Sequence, residues 1–214
     1  MKTLKIATYN VNGIRSRLPQ LLQWLQREAP DIVGLQELKS VDAGFPLAEL
    51  HAAGYGAVWM GQSSWNGVAL LAKGCDPIES RRGLPGDPRD TQSRYIEAKA
   101  HGVLVGCLYL PNGNPRPGPK FDYKLDWFAR LQRHAQHLGG AAASGGPDRR
   151  LQRGAHRCGH LQPGLVAARC AAAAGKPPGL CRALGARLDR QPAPGARRAP
   201  RVHVLGLFPP ALAT

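Results

Sequence analysis

Polar side chains collect at the ends of apolar runs in the first half of the chain. They are Asn10 and Asn12, Gln36 and Glu37, Asn66, and Tyr109 and Asn112. Their types could do chemistry: Glu37 offers a carboxylate, Asn10 a neutral amide that both donates and accepts, and Tyr109 a phenol that can donate a hydrogen bond. Taken singly, each has a plainer reading: an Asn before Gly makes a turn, a Glu after a strand is solvated, a Tyr fills a core. Taken together they matter more, because ligands of α/β sheets gather at strand ends.

The elements that must hold them follow from periodicity. Residues 4–9 form a short apolar run, then Asn12-Gly13 turns the chain. Leu18, Leu21, Leu22 and Leu25 recur at helical spacing, with Ser16 and Pro19 placed for a helix start. Residues 32–35 read as the next strand and 46–53 as a short helix. Segments 55–60 and 68–72 are β-rich, and 95–100 with 103–110 form a hairpin joined at His101-Gly102. Phe121, Leu125, Phe128, Leu131, Ala135 and Leu138 then line one helical face. The residue pattern predicts a mixed sheet with covering helices.

Five segments fall in one order along this stretch: TYNVNGIR at 8–15, GLQELK at 34–39, WNGVALLAK at 65–73, RYIEA at 94–98 and LYLPNGN at 108–114. That order resembles the exodeoxyribonuclease III family of DNA repair nucleases and abasic-site endonucleases, within the endonuclease/exonuclease/phosphatase superfamily. The resemblance runs from about Lys5 to Leu138, roughly the first half of that fold. It implies an α/β fold, the first half of a two-sheet α/β sandwich. It also implies a divalent cofactor, Mg2+ or Mn2+, and hydrolysis of phosphodiesters in double-stranded DNA at abasic sites and 3′ ends. Carried over by resemblance, Glu37 and Asn10 are the metal residues, Tyr109 and Asn10 the catalytic ones, and Asn112 and Arg94 bind substrate. Arg15 and Lys39 are further candidates for the DNA backbone, with solvated surface charge as the plain alternative.

Composition divides the chain near residue 140. Residues 1–140 hold 17 Lys and Arg against 12 Asp and Glu, whereas 141–214 hold 12 against 2. Phe208 is the only aromatic residue after 140, so that stretch lacks the side chains that dominate cores. We expect two units: 1–140, the N-terminal half of the domain, and 141–214, a basic, low-complexity tail without fixed structure. The five cysteines have neither metal-ligand spacing nor the density of a disulfide scaffold, and read as reduced thiols. The first residues do not form a signal peptide and no apolar run approaches a membrane span, so the expectation is a cytoplasmic monomer with no membrane partner.

The family pattern calls, after the helix ending near Leu138, for a strand ending in GDYN, a later Asp, and an SDH segment. None of these is present. Residues 149–163 can, however, be encoded so that the frame one base later reads GDYNVVPTDADIYN. With the same offset, 169–176 yields DALLQPES and 201–208 yields VYTFWDYF, both family-like and in the right order. One offset also accounts for the alanines at 171–174 and the Arg, Pro and Gly bias as a GC-rich gene read out of register, with the switch between about 137 and 144.

The expectation is therefore a Mg2+-dependent DNA repair phosphodiesterase by descent, a 3′–5′ exodeoxyribonuclease and abasic-site endonuclease, whose frame-shifted product is inactive. The first sheet is expected to leave an apolar face open for want of a partner. Two alternatives stay open: a superfamily phosphodiesterase acting on RNA or phosphoinositides, and a non-catalytic basic fragment that binds DNA through charge.

Overall fold

The computed structural model describes residues 3–143, 167–171 and 202–208. Strand β1 (Ile6–Asn10) leads into helix α1 (Leu18–Glu28), which returns to β2 (Ile32–Gln36), parallel to β1. Leu21 and Leu25, one helical turn apart, are fully buried against Val33, Leu35, Ala69 and Leu71. The helix stops where Ala29 turns left-handed (φ 44°) before Pro30, its N–H bonded to Leu25 O. A 3-10 turn (Asp42–Gly44) and helix α2 (Leu47–Ala52) precede β3 (Tyr55–Met60) and β4 (Val68–Lys73), an antiparallel pair. The first sheet has the order β1-β2-β4-β3.

The second sheet opens with a meander: β5 (Ile78–Arg82), β6 (Tyr95–Ala100) and β7 (Val103–Tyr109). His101 and Gly102 join β6 to β7 with φ of 48° and 74°, a two-residue turn whose twist suits a hairpin. Helix α3 (Pro119–Ala143) follows, packing Trp127 and Leu131 on Tyr95, Leu108 and Leu110. Two further strands, β8 (Ala167–Ala171) and β9 (Val202–Phe208), extend this sheet in parallel, giving β5-β6-β7-β9-β8.

The two sheets face each other, so the fold is the two-sheet α/β sandwich. Side chains alternate along each strand, and the inner rows are Ile32 from β2, Val68, Leu70 and Ala72 from β4, Ile96, Ala98 and Ala100 from β6, and Val103, Val105 and Cys107 from β7. These rows correct two expectations. The residue pattern suggested one mixed sheet, whereas 95–109 turns away to build a second. And the first sheet is not left open, because β6 and β7, both before residue 140, already cover its inner face. Most of 141–214, including the segment that would carry the out-of-register GDYN, lies outside the described residues. The described exceptions are 141–143, β8 and β9; the expectation of a tail without fixed structure falls on the rest and lies outside the described residues. β5 was not anticipated, because IESRR is largely exposed and carries no apolar alternation. The thiol expectation holds for Cys107, buried and free, but not for Cys75, which is disulfide-bonded. Among the described residues no helix is long and apolar enough to cross a membrane.

Candidate active site

The alternation that fills the core also builds the site. Asn10 is the last residue of β1, on the same face as Ile6 and Thr8, and Tyr109 is the last of β7, in the row of Val103, Val105 and Cys107. Both therefore point between the sheets, at the end where the apolar rows stop. Glu37 is the first residue beyond β2, beside Asn10 because Asn10 and Gln36 are paired in parallel register.

The three meet on one oxygen. Glu37 Oε1 accepts from Asn10 Nδ2 at 2.6 Å and from Tyr109 O–H at 2.9 Å. The other oxygen, Oε2, faces Lys39 Nζ at 3.2 Å. Asn10 Oδ1 in turn accepts the Asn12 N–H at 3.0 Å, which fixes the amide with its nitrogen toward Glu37. The loops carrying these residues are laced by backbone bonds: Val11 N to Gln36 O, Gly13 N to Glu37 O, Leu38 N to Gly67 O and Lys39 N to Asn66 O, all between 2.8 and 3.2 Å. Asn12, Glu37, Lys39 and Asn66 all have left-handed backbone, with φ of 47°, 55°, 50° and 63°. Such conformations are unfavourable for non-glycine residues and concentrate where side chains must be aimed.

Electrostatics sort the protonation states. Burial alone would raise the Glu37 carboxyl, but donors from Asn10, Tyr109 and Lys39 outweigh it and hold the group below its ordinary value, so it is ionised at neutral pH. Burial, and then the bond to Glu37 and its charge, push the Tyr109 phenol up to about 12, so it stays a neutral donor. Arg94 packs its guanidinium 5.1 Å from the Tyr109 ring centroid and donates from Nη1 to Tyr109 O at 3.3 Å. Burial draws Arg94 below its ordinary value, opposed by Tyr123, Tyr109 and Asp90.

Asn10, Glu37 and Tyr109 thus come together, with Arg94 against the last of them. Asn112 does not join their hydrogen bonds: it is exposed, accepting from Asn114 Nδ2 at 3.0 Å and, through its carbonyl, from Lys124 Nζ at 3.3 Å. Gln36 is fully buried between the sheets, bonded to Thr8 and Cys107. Arg15 holds the 3-10 turn through Gly44 O at 2.8 Å. Sequence reading missed Gln62 and Gln92, whose Oε1 atoms take both hydrogens of Asn66 Nδ2 at 3.1 and 3.4 Å; Gln92 also accepts from Arg94 Nε at 2.7 Å. It also missed Trp65, 71% exposed, with Lys39 Nζ 5.6 Å from its ring centroid. Both glutamines sit in loops without a periodic signal, and nothing in WNG marks the tryptophan as outward-facing.

Chemically, the ionised Glu37 carboxylate could hold a hard cation, with Asn10 and Tyr109 as neutral donors and Lys39 as a charged one around it. Among the described residues no group of three or more His, Cys, Asp or Glu side chains converges. A Mg2+-type ion bound here would rest on Glu37 and keep much of its water, a common arrangement for that ion. The fit is supported by Oε2, which already faces a positive charge.

Comparison with known proteins identifies the fold. Residues 7–147 match the model of the endonuclease/exonuclease/phosphatase family. Exodeoxyribonuclease III of Haemophilus influenzae is 37% identical over 138 residues, covering 62% of this chain and 51% of that protein. An AP endonuclease from Archaeoglobus fulgidus aligns with a TM-score of 0.60 at 41% identity, over 63% of this chain and 52% of its own. A 3′ phosphatase from Neisseria, bound to a product DNA hairpin, aligns with a TM-score of 0.57 at 42% identity, over 61% and 51%. The chain spans about half the length of these relatives. On the two-sheet fold, the strand-end site and these matches, the chain belongs to the endonuclease/exonuclease/phosphatase family.

Proposed function

We propose that residues 1–140 carry the metal-holding and phosphate-gripping part of a divalent-metal phosphodiesterase site for double-stranded DNA at abasic sites and 3′ ends, working as a cytoplasmic monomer. The observation that carries this reading is the convergence of Asn10 and Tyr109 on one oxygen of an ionised Glu37. The relatives, an exodeoxyribonuclease, an AP endonuclease and a 3′ phosphatase bound to a DNA hairpin, support this substrate class.

In this reading Glu37 ligates Mg2+ or Mn2+, and Asn10 helps to hold the ion by fixing that carboxylate through its amide nitrogen. The ion, when bound, supplies positive charge to the scissile phosphate. Tyr109 keeps its proton and, when substrate binds, turns it from Glu37 Oε1 to a phosphate oxygen; Arg94 orients the ring and adds positive charge behind it. Asn112, exposed on the loop after β7, meets the substrate further along. What these residues do not supply is a base to activate water. We further propose that 141–214 is read out of register, so that the groups which would do so are missing and the product does not turn over.

The test is incision of an abasic duplex in Mg2+ and in Mn2+, alongside RNA and inositol phosphates. The 214-residue chain is expected to cut none of them. A gene with one base restored between codons 137 and 144 is expected to give a product that cuts the abasic duplex, and Tyr109→Phe should then slow it by about 10²–10³. Incision by the unrestored chain that depends on Glu37 would refute the out-of-register reading. Preference of the restored product for RNA or inositol phosphate would refute the substrate.

A further inference from the structure

Lys39 occupies the place of a cation. Glu37 Oε1 is taken up by Asn10 and Tyr109 at 2.6 and 2.9 Å, which leaves Oε2 for any further positive group. Lys39 Nζ covers it at 3.2 Å, with a second anchor on Asn12 Oδ1 at 2.5 Å. Its backbone is pinned, by Lys39 N to Asn66 O at 3.1 Å and a φ of 50°. Its side chain is not: a four-carbon stem on a residue 28% exposed at the side chain can swing while the loop stays in place. Nζ already lies over the exposed face of Trp65, 5.6 Å from its ring centroid, so an ammonium released from the carboxylate can settle closer onto that ring.

We propose that Lys39 is a tethered counter-ion: it neutralises Glu37 Oε2 until a divalent cation takes that oxygen, and then moves its ammonium onto Trp65. Two positive charges cannot share one carboxylate oxygen at contact distance without strong repulsion, so Lys39 must leave for the ion to enter. Lys39 thereby sets how tightly the ion is held, and the charge it withdraws becomes free to meet a phosphate. This rests on the reading of Glu37 as the cation holder.

The full-length chain is titrated with Mg2+ alone, by calorimetry and by tryptophan emission, beside Lys39→Met, Lys39→Arg, Glu37→Gln and Trp65→Phe. Lys39→Met is expected to bind Mg2+ roughly five-fold or more tighter than wild type, the effect of removing one competing charge at a partly exposed pair. Lys39→Arg should stay close to wild type. Emission should change on saturation in wild type and not in Lys39→Met or Trp65→Phe. Mg2+ affinity equal within two-fold in wild type and Lys39→Met, with Glu37→Gln abolishing binding, overturns the counter-ion while sparing Glu37 as the holder. Absence of binding in both wild type and Lys39→Met, or unchanged binding in Glu37→Gln, overturns the two together.

Discussion

The left-handed backbone at Glu37 costs on the order of 1 kcal/mol, and three hydrogen-bond donors on its carboxylate offset that cost only while it is ionised. The carboxyl is held below its ordinary value in the fold, so ionised Glu37 favours folding at neutral pH. That contribution is lost as the pH falls through the lowered value, because the unfolded chain takes up the proton first. Urea midpoints should therefore show wild type ahead of Glu37→Gln at pH 7, with the gap closing between about pH 5 and pH 3. A gap that stays constant would mean that the carboxylate charge does not stabilise the loop. The motifs around Asn10, Glu37 and Tyr109 made these residues legible. The different fates of Gln36 and Glu37 were not: adjacent in GLQELK, one is sealed between the sheets and the other is swung to the rim by a backbone angle that no residue type announces.

Helix α3 is tied to the second sheet by polar groups as well as by Trp127. Glu97, 3% exposed on the outer face of β6, accepts from Tyr95 O–H at 2.8 Å and pairs with His134 of α3, with Arg81 at 4.0 Å. Asp90, just before β6, accepts from Tyr123 at 3.0 and 3.1 Å and pairs with the buried Arg130. Gly106 leaves room for this arrangement, since a Cβ there would meet the Tyr95 hydroxyl at 3.1 Å. Removing His134 leaves a buried carboxylate one partner short, so His134→Ala should cost about 1–3 kcal/mol in urea unfolding. A loss within 0.5 kcal/mol, the ordinary range for a surface site, would show that Glu97 finds water instead. The apolar face of α3 was readable from Phe121 to Leu138, but the clamp was not. Glu97 lies in RYIEA, where alternation puts it on the face of Tyr95, yet its partner is 37 residues on, out of reach of any periodic pattern.

At the scale of the molecule, charge and topology act separately. A formal net charge of +15 attracts any polyanion, so the chain should bind duplex DNA of any sequence, with affinity falling at least about ten-fold from 50 to 200 mM salt. Anisotropy measurements would check this, and ending the chain at residue 140, which removes most of the excess charge, should flatten the salt slope; an unchanged slope would place the binding surface in 1–140. The sandwich itself was legible as motif order and as alternating strands, but which strands face which was not. The same apolar alternation in 68–72 and 95–109 fits one sheet or two, and the pairing of β2 with β4 and of β7 with β9 is decided by contacts far apart in sequence. That long reach bears on the site. Glu37 is 27 residues from Asn10 and 72 from Tyr109, and the two partners belong to different sheets. The loops between them must close before the three side chains can meet, so the site exists only once both sheets are in place. No half-folded intermediate can own it, and any ligand that grips all three residues draws its affinity from the whole domain and returns it as cooperative stability.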